Sequence, residues 1–267
     1  MSKPTLVLVP GSFAHPGFYK DNLIAGLEAE GIAVEPIHNL SSGLSAGQGR
    51  PGPPPSMYDD AAQIAQVVEK LADEGKEVIV LGHSYGGVPV TESVKGLSKE
   101  ERQKQGKKGG IIWLAYMTCL VPEYGANAAS VLAGAPPEQT IKMGIGADGW
   151  MYHEDPENTA RICLNNLASK EEAVAWIKMM PKHSAVSFGD AVTYEGFKDV
   201  PVSYLLCEED LCIPPDVQQA GIDMIEKRSG RKVDVTRIRA DHCCNISAPK
   251  ETLDWLVGVV EKSTAKS

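Results

Sequence analysis

Apolar residues along this chain fall into short unbroken runs, separated by stretches in which they recur at helical spacing. Thr5–Val9 (TLVLV) reads as a buried strand that stops at the turn-forming Pro10–Gly11. Further strands are expected over Ala33–Ile37, Val78–Leu81, Ile111–Met117 (IIWLAYM), Val202–Cys207 and Val233–Ile238. The last has the mixed alternation of a sheet edge. Between them the period changes. Lys20–Glu30 carries Leu23, Ile24 and Leu27 on one face and ends at Gly31. A helix capped by Asp59 or Asp60 and running through Glu74 carries Ala61, Ile64, Ala65, Val68 and Leu71, and Gly75 ends it. Val88–Leu97, Pro215–Lys227 and Pro249–Lys262 read as helices too.

Strands alternating with helices imply an α/β fold, with a mostly parallel, doubly wound sheet covered on both faces. One interval breaks the alternation, from Val121 to about Asp199, between the fourth and fifth predicted strands. It holds helical fragments at Glu157–Leu167 and Glu171–Met180 and is rich in Met, Trp and Tyr. So long an excursion is expected to be a helical cap or lid (121–199) on a core made of 1–120 and 200–267. Ser41–Ser56, rich in Gly, Pro and Ser, reads as a long surface loop.

A formal net charge of -9 argues against a nucleic-acid surface. The lysines of Lys104–Lys108, set among Gln and Gly, read as a solvated loop. No apolar run approaches the ~18–20 residues that a bilayer requires, so no membrane partner is expected. The start, MSKPTLVLVPGS, enters a strand without the apolar region of a secretory signal, which points to a cytoplasmic protein. Six cysteines without a C-x-x-C pair are expected to be free thiols, and Cys243–Cys244 beside His242 lacks the second cluster a zinc site needs.

The chemistry concentrates at Gly82-His83-Ser84-Tyr85-Gly86, directly after a strand and directly before a helix. Glycines two positions either side of a serine let the chain turn sharply and lift the hydroxyl to the C-terminal edge of the sheet. Ser84 is thus the candidate nucleophile, with the N–H of Tyr85 at the helix start as a candidate oxyanion donor. A serine hydroxyl needs a base. Of six histidines, His242 follows the last predicted strand at that same edge, whereas His83 points away from the site and His38 reads as a loop residue. The imidazole needs a carboxylate, and Glu208, Glu209 and Asp210 all follow a strand. Asp210, deepest in the turn, is assigned the role, with either glutamate as the alternative. Asp241 is expected to be solvated or structural.

The order Ser84, Asp210, His242 is that of the α/β-hydrolase superfamily. The opening VLVPGSFAHPGFY resembles that family's oxyanion loop, with Pro10 in place of the usual His. The resemblance covers essentially the whole chain and is closest to short, cofactor-free members such as plant methyl esterases, hydroxynitrile lyases and fungal hydrolases. It implies an α/β-hydrolase fold, no cofactor or metal, and a second oxyanion N–H from Ser12 or, less directly, Phe13. It also implies an acyl-enzyme route, which suits an esterase or lactonase acting on a small, fairly apolar molecule. Met143, Trp150, Met151, Tyr152, Trp176, Met179 and Met180 in the cap motivate the apolar substrate, with Trp150, Met151, Trp176 and Met180 as the pocket candidates. These residues equally suit the cap's own core. C–C bond hydrolysis, a lyase or cyclase reaction, and a ligand receptor with little turnover are the alternatives on the same fold. The hydroxynitrile lyases usually carry Thr where Gly11 stands and add a cap lysine, a role open to Lys142, Lys178 or Lys182. The chain is expected to be a monomer or homodimer.

Overall fold

The computed structural model describes residues 3–133 and 140–265. Six parallel strands form the central sheet: β1 (Thr5–Val9), β2 (Val34–Pro36), β3 (Glu77–His83), β4 (Gly110–Met117), and, beyond the long excursion, β8 (Val202–Cys207) and β9 (Asp234–Ile238), in the order β2-β1-β3-β4-β8-β9. The excursion contributes a separate antiparallel sheet of β5 (Met143–Ile145), β6 (Trp150–His153) and β7 (His183–Ser184).

Both faces of the large sheet are buried, and strand alternation decides which side chain goes where. Val7, Val9, Val78, Val80, Tyr116, Tyr204 and Leu206 face one apolar layer, while Leu6, Leu8, Ile79, Leu81, Met117, Leu205 and Cys207 face the other. The register slips once, between Val78 and Ile79, where Val78 pairs with Ile111 and Ile79 with Trp113. Ile112 is therefore the extra residue of a bulge.

Helices cover the layers. On the first side lie α2 (Met57–Asp73), α3 (Gly87–Ser93) and α9 (Pro215–Ser229), and on the second α1 (Ala25–Ala29) and α11 (Pro249–Ala265), with α4 (Lys99–Lys104) leading into β4. The cap of α2 is Ser56, one turn earlier than the sequence suggests: its hydroxyl accepts from Asp59 N–H while the Asp59 carboxylate accepts from Ser56 N–H. This frees Asp60 for another role. Before α1 the expected helix starts as a wider π-type turn over Lys20–Ile24.

The 121–199 interval, expected to be helical, holds strands as well as helices among its described residues. It contains α5 (Ala128–Leu132), α6 (Pro156–Cys163), α7 (Lys170–Lys178) and α8 (Val186–Gly189) as well as the small sheet. Gly146-Ala147-Asp148-Gly149 turns β5 into β6, with Gly149 at φ +77 and Asp148 accepting from Trp150 N–H. The loop after β2 is no plain surface loop. Ser41 and Ser42 are buried, Ser42 bridges to His183, and Gly43 and Gly47 N–H donate to carbonyls of Lys182 and Met180. A Cβ on Gly49 would stand 2.6 Å from the Trp150 ring, so only glycine lets this loop lie flat on β6. No helix among the described residues is long and apolar enough to cross a membrane.

Candidate active site

β1, β3, β4, β8 and β9 all end at the same edge of the sheet, because all run parallel. The loops leaving those ends carry the polar residues singled out above. Ser84 sits in the turn between β3 and α3 at φ +54, a left-handed conformation that costs a non-glycine residue of order 1–3 kcal/mol. The turn is held by close packing. A Cβ on Gly86 would lie 2.6 Å from the Val9 carbonyl oxygen and 2.7 Å from that of Pro10, and one on Gly82 would lie 2.9 Å from Gly87 N. Both positions admit glycine alone.

Ser84 Oγ lies 2.9 Å from His242 Nε2, and His242 Nδ1 lies 2.8 Å from Asp210 Oδ2. All three residues are buried. Asp210 only accepts, so Nδ1 carries the proton, and Nε2 presents a lone pair to the Ser84 hydroxyl. Burial by itself, the largest single influence, pushes His242 down, but the Asp210 charge and hydrogen bond together with the neighbouring Cys212 outweigh it and hold the imidazole well above its ordinary range. Asp210 is fixed from behind: Oδ1 accepts from Cys212 N–H (2.8 Å) and Ile213 N–H (2.9 Å), and Oδ2 from Gln218 Nε2 (3.2 Å). Of the two neighbouring acids, Glu209 pairs instead with Arg239 and Asn166 at the surface. Asp241 is buried, not solvated, and accepts from Asn166 N–H, Cys243 N–H and Ser247 Oγ.

The Pro10–Phe13 loop packs directly over the turn, since a Cβ on Gly11 would stand 3.1 Å from Ser84 Cβ. Ser12 lines the cavity in front of Ser84. Phe13, at φ +57, directs its N–H to His183 Nδ1 at 3.4 Å. That hydrogen is engaged, which leaves Ser12 as the donor candidate in the loop, while Phe13 itself lines the cavity. Tyr85 is clamped from below: its hydroxyl donates to Asp60 Oδ2 at 3.0 Å, and its ring stacks on Phe188. Asp60 also accepts from Ser41, and burial raises its carboxyl to about 6.

The cavity has a volume of about 490 Å³. Ser84 and His242 open into it, with Phe18, Leu120, Leu132, Ile141, Met143 and Ile213 among the apolar walls. Met151 and Met180 line it as expected from the sequence. Trp150 and Trp176 do not: Trp150 packs on Gly49, and Trp176 packs on Phe18 within the apolar core. Met179 and Tyr152 are exposed on the outside. Lys142, Lys178 and Lys182 pair with Asp155, Glu157 and Asp148 at the surface of the 121–199 interval, and no lysine is among the described lining residues. No cluster of metal-ligating side chains occurs among the described residues.

Sequence reasoning missed Tyr19, Asp60, His153 and His183, and gave His83 no role. The only local signal was polarity in otherwise apolar surroundings, because each partner is distant in sequence.

Comparison with known proteins places these features in a family. Residues 6–255 match the model of the "Alpha/beta hydrolase family". A fungal relative, "Probable hydrolase R7" of Phoma sp. (strain ATCC 20986 / MF5453), is 32% identical over 254 residues, covering 95% of this chain and 97% of the relative. Among solved structures, the pyrethroid hydrolase PytH superposes with a TM-score of 0.74 at 17% identity, over 99% of this chain and 100% of that one. Polyneuridine aldehyde esterase superposes with a TM-score of 0.70 at 18% identity, over 96% of this chain and 99% of that one.

Proposed function

We propose that this chain, which belongs to the alpha/beta hydrolase family, is a serine-dependent hydrolase cleaving a carboxylic ester or lactone of a small, fairly apolar molecule. In this reading His242 Nε2 takes the Ser84 proton as Oγ attacks the carbonyl carbon. The resulting oxyanion is held by the N–H groups of Ser12 and Tyr85. His242 returns the proton to the leaving alkoxide, which frees the alcohol and leaves an acyl-Ser84 ester. Water, deprotonated by the same nitrogen, then releases the acid. The Asp210 carboxylate keeps the proton on Nδ1 and offsets the imidazolium charge as it forms.

One observation carries this reading: the unbroken line from Ser84 Oγ through His242 to Asp210, at 2.9 and 2.8 Å, opening into an apolar cavity. The similarity to an esterase and to a pyrethroid hydrolase supports the ester class. The test is turnover of a panel of methyl esters, aryl esters and lactones, followed by acid release. Wild type is expected to hydrolyse at least one class, and Ser84→Ala none. Ligand binding without turnover by wild type across the panel would instead favour a receptor.

A further inference from the structure

Asp60 lies in the first turn of α2, is fully buried, and takes no part in the proton transfers proposed above. Taking a carboxyl out of water is costly, so the groups that hold it are informative. Oδ1 accepts from Ser41 N–H at 2.9 Å. Oδ2 accepts from the Ser41 hydroxyl and, at 3.0 Å, from the Tyr85 hydroxyl. The two partners come from different loops: Tyr85 follows Ser84 in the turn after β3, and Ser41 lies in the loop after β2.

The Ser41 side leads to the other half of the proposed oxyanion site. Asn39, Ser41 and Ser42 are all buried. Asn39 Nδ2 donates to the Pro10 carbonyl oxygen at 3.0 Å, and Ser42 Oγ donates to that of Ala14 at 2.8 Å. These two contacts grip the β1 loop on either side of Ser12. The Ser41 carbonyl oxygen accepts from Ser184 N–H at 2.8 Å, next to His183, whose Nδ1 accepts from Phe13 N–H. On the Tyr85 side, the ring is held between the Asp60 bond at its hydroxyl and the stack on Phe188.

We propose that Asp60 is a positioning residue of the oxyanion site, its carboxylate holding the loop that carries Ser12 and the residue Tyr85 in register with each other. Oxyanion donors stabilise charge only if they are placed before it forms, and a misplacement of about 1 Å costs up to about a hundredfold in rate. The helix supplies a platform that belongs to neither loop. A carboxylate suits the task because its two oxygens accept all three hydrogens at once, whereas an amide offers one acceptor oxygen.

This inference rests on the proposed hydrolase reading, and the experiment separates the two. Asp60→Leu, Asp60→Asn, Tyr85→Phe and the control Ser56→Ala are compared with wild type at about pH 8. There Asp60, raised by burial to about 6, is ionised. Ser56→Ala loosens the start of α2 without removing a bond to Ser41 or Tyr85. Turnover of p-nitrophenyl butyrate is followed together with the rate of Ser84 labelling by a fluorophosphonate. The phosphoryl oxygen of that probe calls on the same N–H donors, and labelling needs no turnover. Affinity for the uncleaved ester is measured with the same substitutions in the Ser84→Ala protein.

Asp60→Leu is expected to lower both kcat and the labelling rate about 10- to 100-fold, with ester affinity within about twofold of wild type. Asp60→Asn is expected to lose less, because its amide oxygen still accepts from Ser41 N–H. Tyr85→Phe is expected to lower kcat alone, yet to add less than about twofold to Asp60→Leu, because both remove the same bond. Should Asp60→Leu not fold, Asp60→Asn and Tyr85→Phe decide. Wild-type kcat and labelling in the folded Asp60 variants would overturn the role of Asp60 and leave the hydrolase reading standing. A parallel loss of ester affinity, or an equal loss of kcat in Ser56→Ala, would overturn it as well, since loosening the fold would then suffice. Slower labelling in the Asp60 variants, with no ester turned over by wild type, would uphold Asp60 and count against ester hydrolysis. A wild type neither labelled nor active would end both readings.

Discussion

The phenolic oxygen of Tyr19 lies 2.6 Å from Nδ1 of His83, and through this contact the loop over Ser84 is tied to the backbone of His242. The direction of every bond follows from the far end. His83 Nε2 reaches the His242 carbonyl oxygen at 2.9 Å, so Nε2 must carry the proton. Nδ1 is then an acceptor, and Tyr19 O–H donates to it while accepting from Gly11 N–H at 3.1 Å. Burial, reinforced by the nearby His242, lowers His83 to about 3, so the chain does not reverse across the working pH range.

Tyr19→Phe leaves the Gly11 N–H and His83 Nδ1 without their buried partner. A cost of about 1–3 kcal/mol per unsatisfied group is expected. Thermal unfolding should show a clear drop in Tm, and kcat should fall further than the Tm change explains, because the Ser12 loop loses its link to His83, the residue that holds the His242 carbonyl. A variant with wild-type Tm and kcat would show that the chain carries neither stability nor alignment.

Asp210→Asn keeps the shape of the acid but favours the wrong histidine tautomer. A fall in kcat of about 10³–10⁴ is expected in ester turnover. The pH profile adds an independent sign. Because Asp210, together with Cys212, raises His242 above its ordinary 6.5, the acid limb of kcat/KM should have its midpoint above 6.5 and activity should rise with pH through it. In the Asn variant burial acts without that charge, and the limb should move down. By linkage, the raised His242 contributes stability that is fully present below pH 6.5 and is lost as pH rises through its folded value. Near wild-type activity in Asp210→Asn, with loss in Glu208→Gln or Glu209→Gln, would move the acid role to a neighbour.

Gly86→Ala places a methyl group against the backbone carbonyls of Val9, the last residue of β1, and of Pro10 after it, neither of which is the end of a flexible side chain. Destabilisation of about 1–3 kcal/mol or more is expected from the overlap, read as a lower denaturation midpoint. Activity should fall with it, because the strained Ser84 conformation depends on this close approach. A fully active, equally stable Gly86→Ala protein would contradict the turn geometry.

Asp60 titrates in the opposite sense from a salt-bridged acid. Its folded value of about 6 lies above its ordinary 3.8, chiefly through burial. Its contribution is therefore present below about pH 3.8 and lost as pH rises through about 6, a change of about 3 kcal/mol at 1.36 kcal/mol per unit. Asp60→Asn cannot ionise there. Its stability relative to wild type should improve between pH 5 and pH 7.5, measured by urea unfolding at each pH. A constant difference across that range would show that Asp60 does not titrate in the folded protein.

The sheet and the Ser84, Asp210 and His242 cluster were legible in the sequence because strand runs and chain order place three loops at one edge. The cap was less so. β5 and β7 have three and two residues, too short for any period, and the Gly146–Gly149 turn was the only local signal of their sheet. The pocket tryptophans were misplaced because an aromatic residue in a cap packs its core as readily as it meets a ligand. His83, Asp60 and His183 acquire their roles from partners such as Tyr19, Ser41 and Phe13, whose proximity only the folded chain creates.

The central claim is that Ser84 is an activated nucleophile in an accessible site. Intact-mass labelling with a fluorophosphonate, on wild type and Ser84→Ala side by side, addresses it most directly. One adduct per wild-type chain and none on the folded variant is the predicted result. An unlabelled wild type, or equal labelling of both proteins, would contradict it.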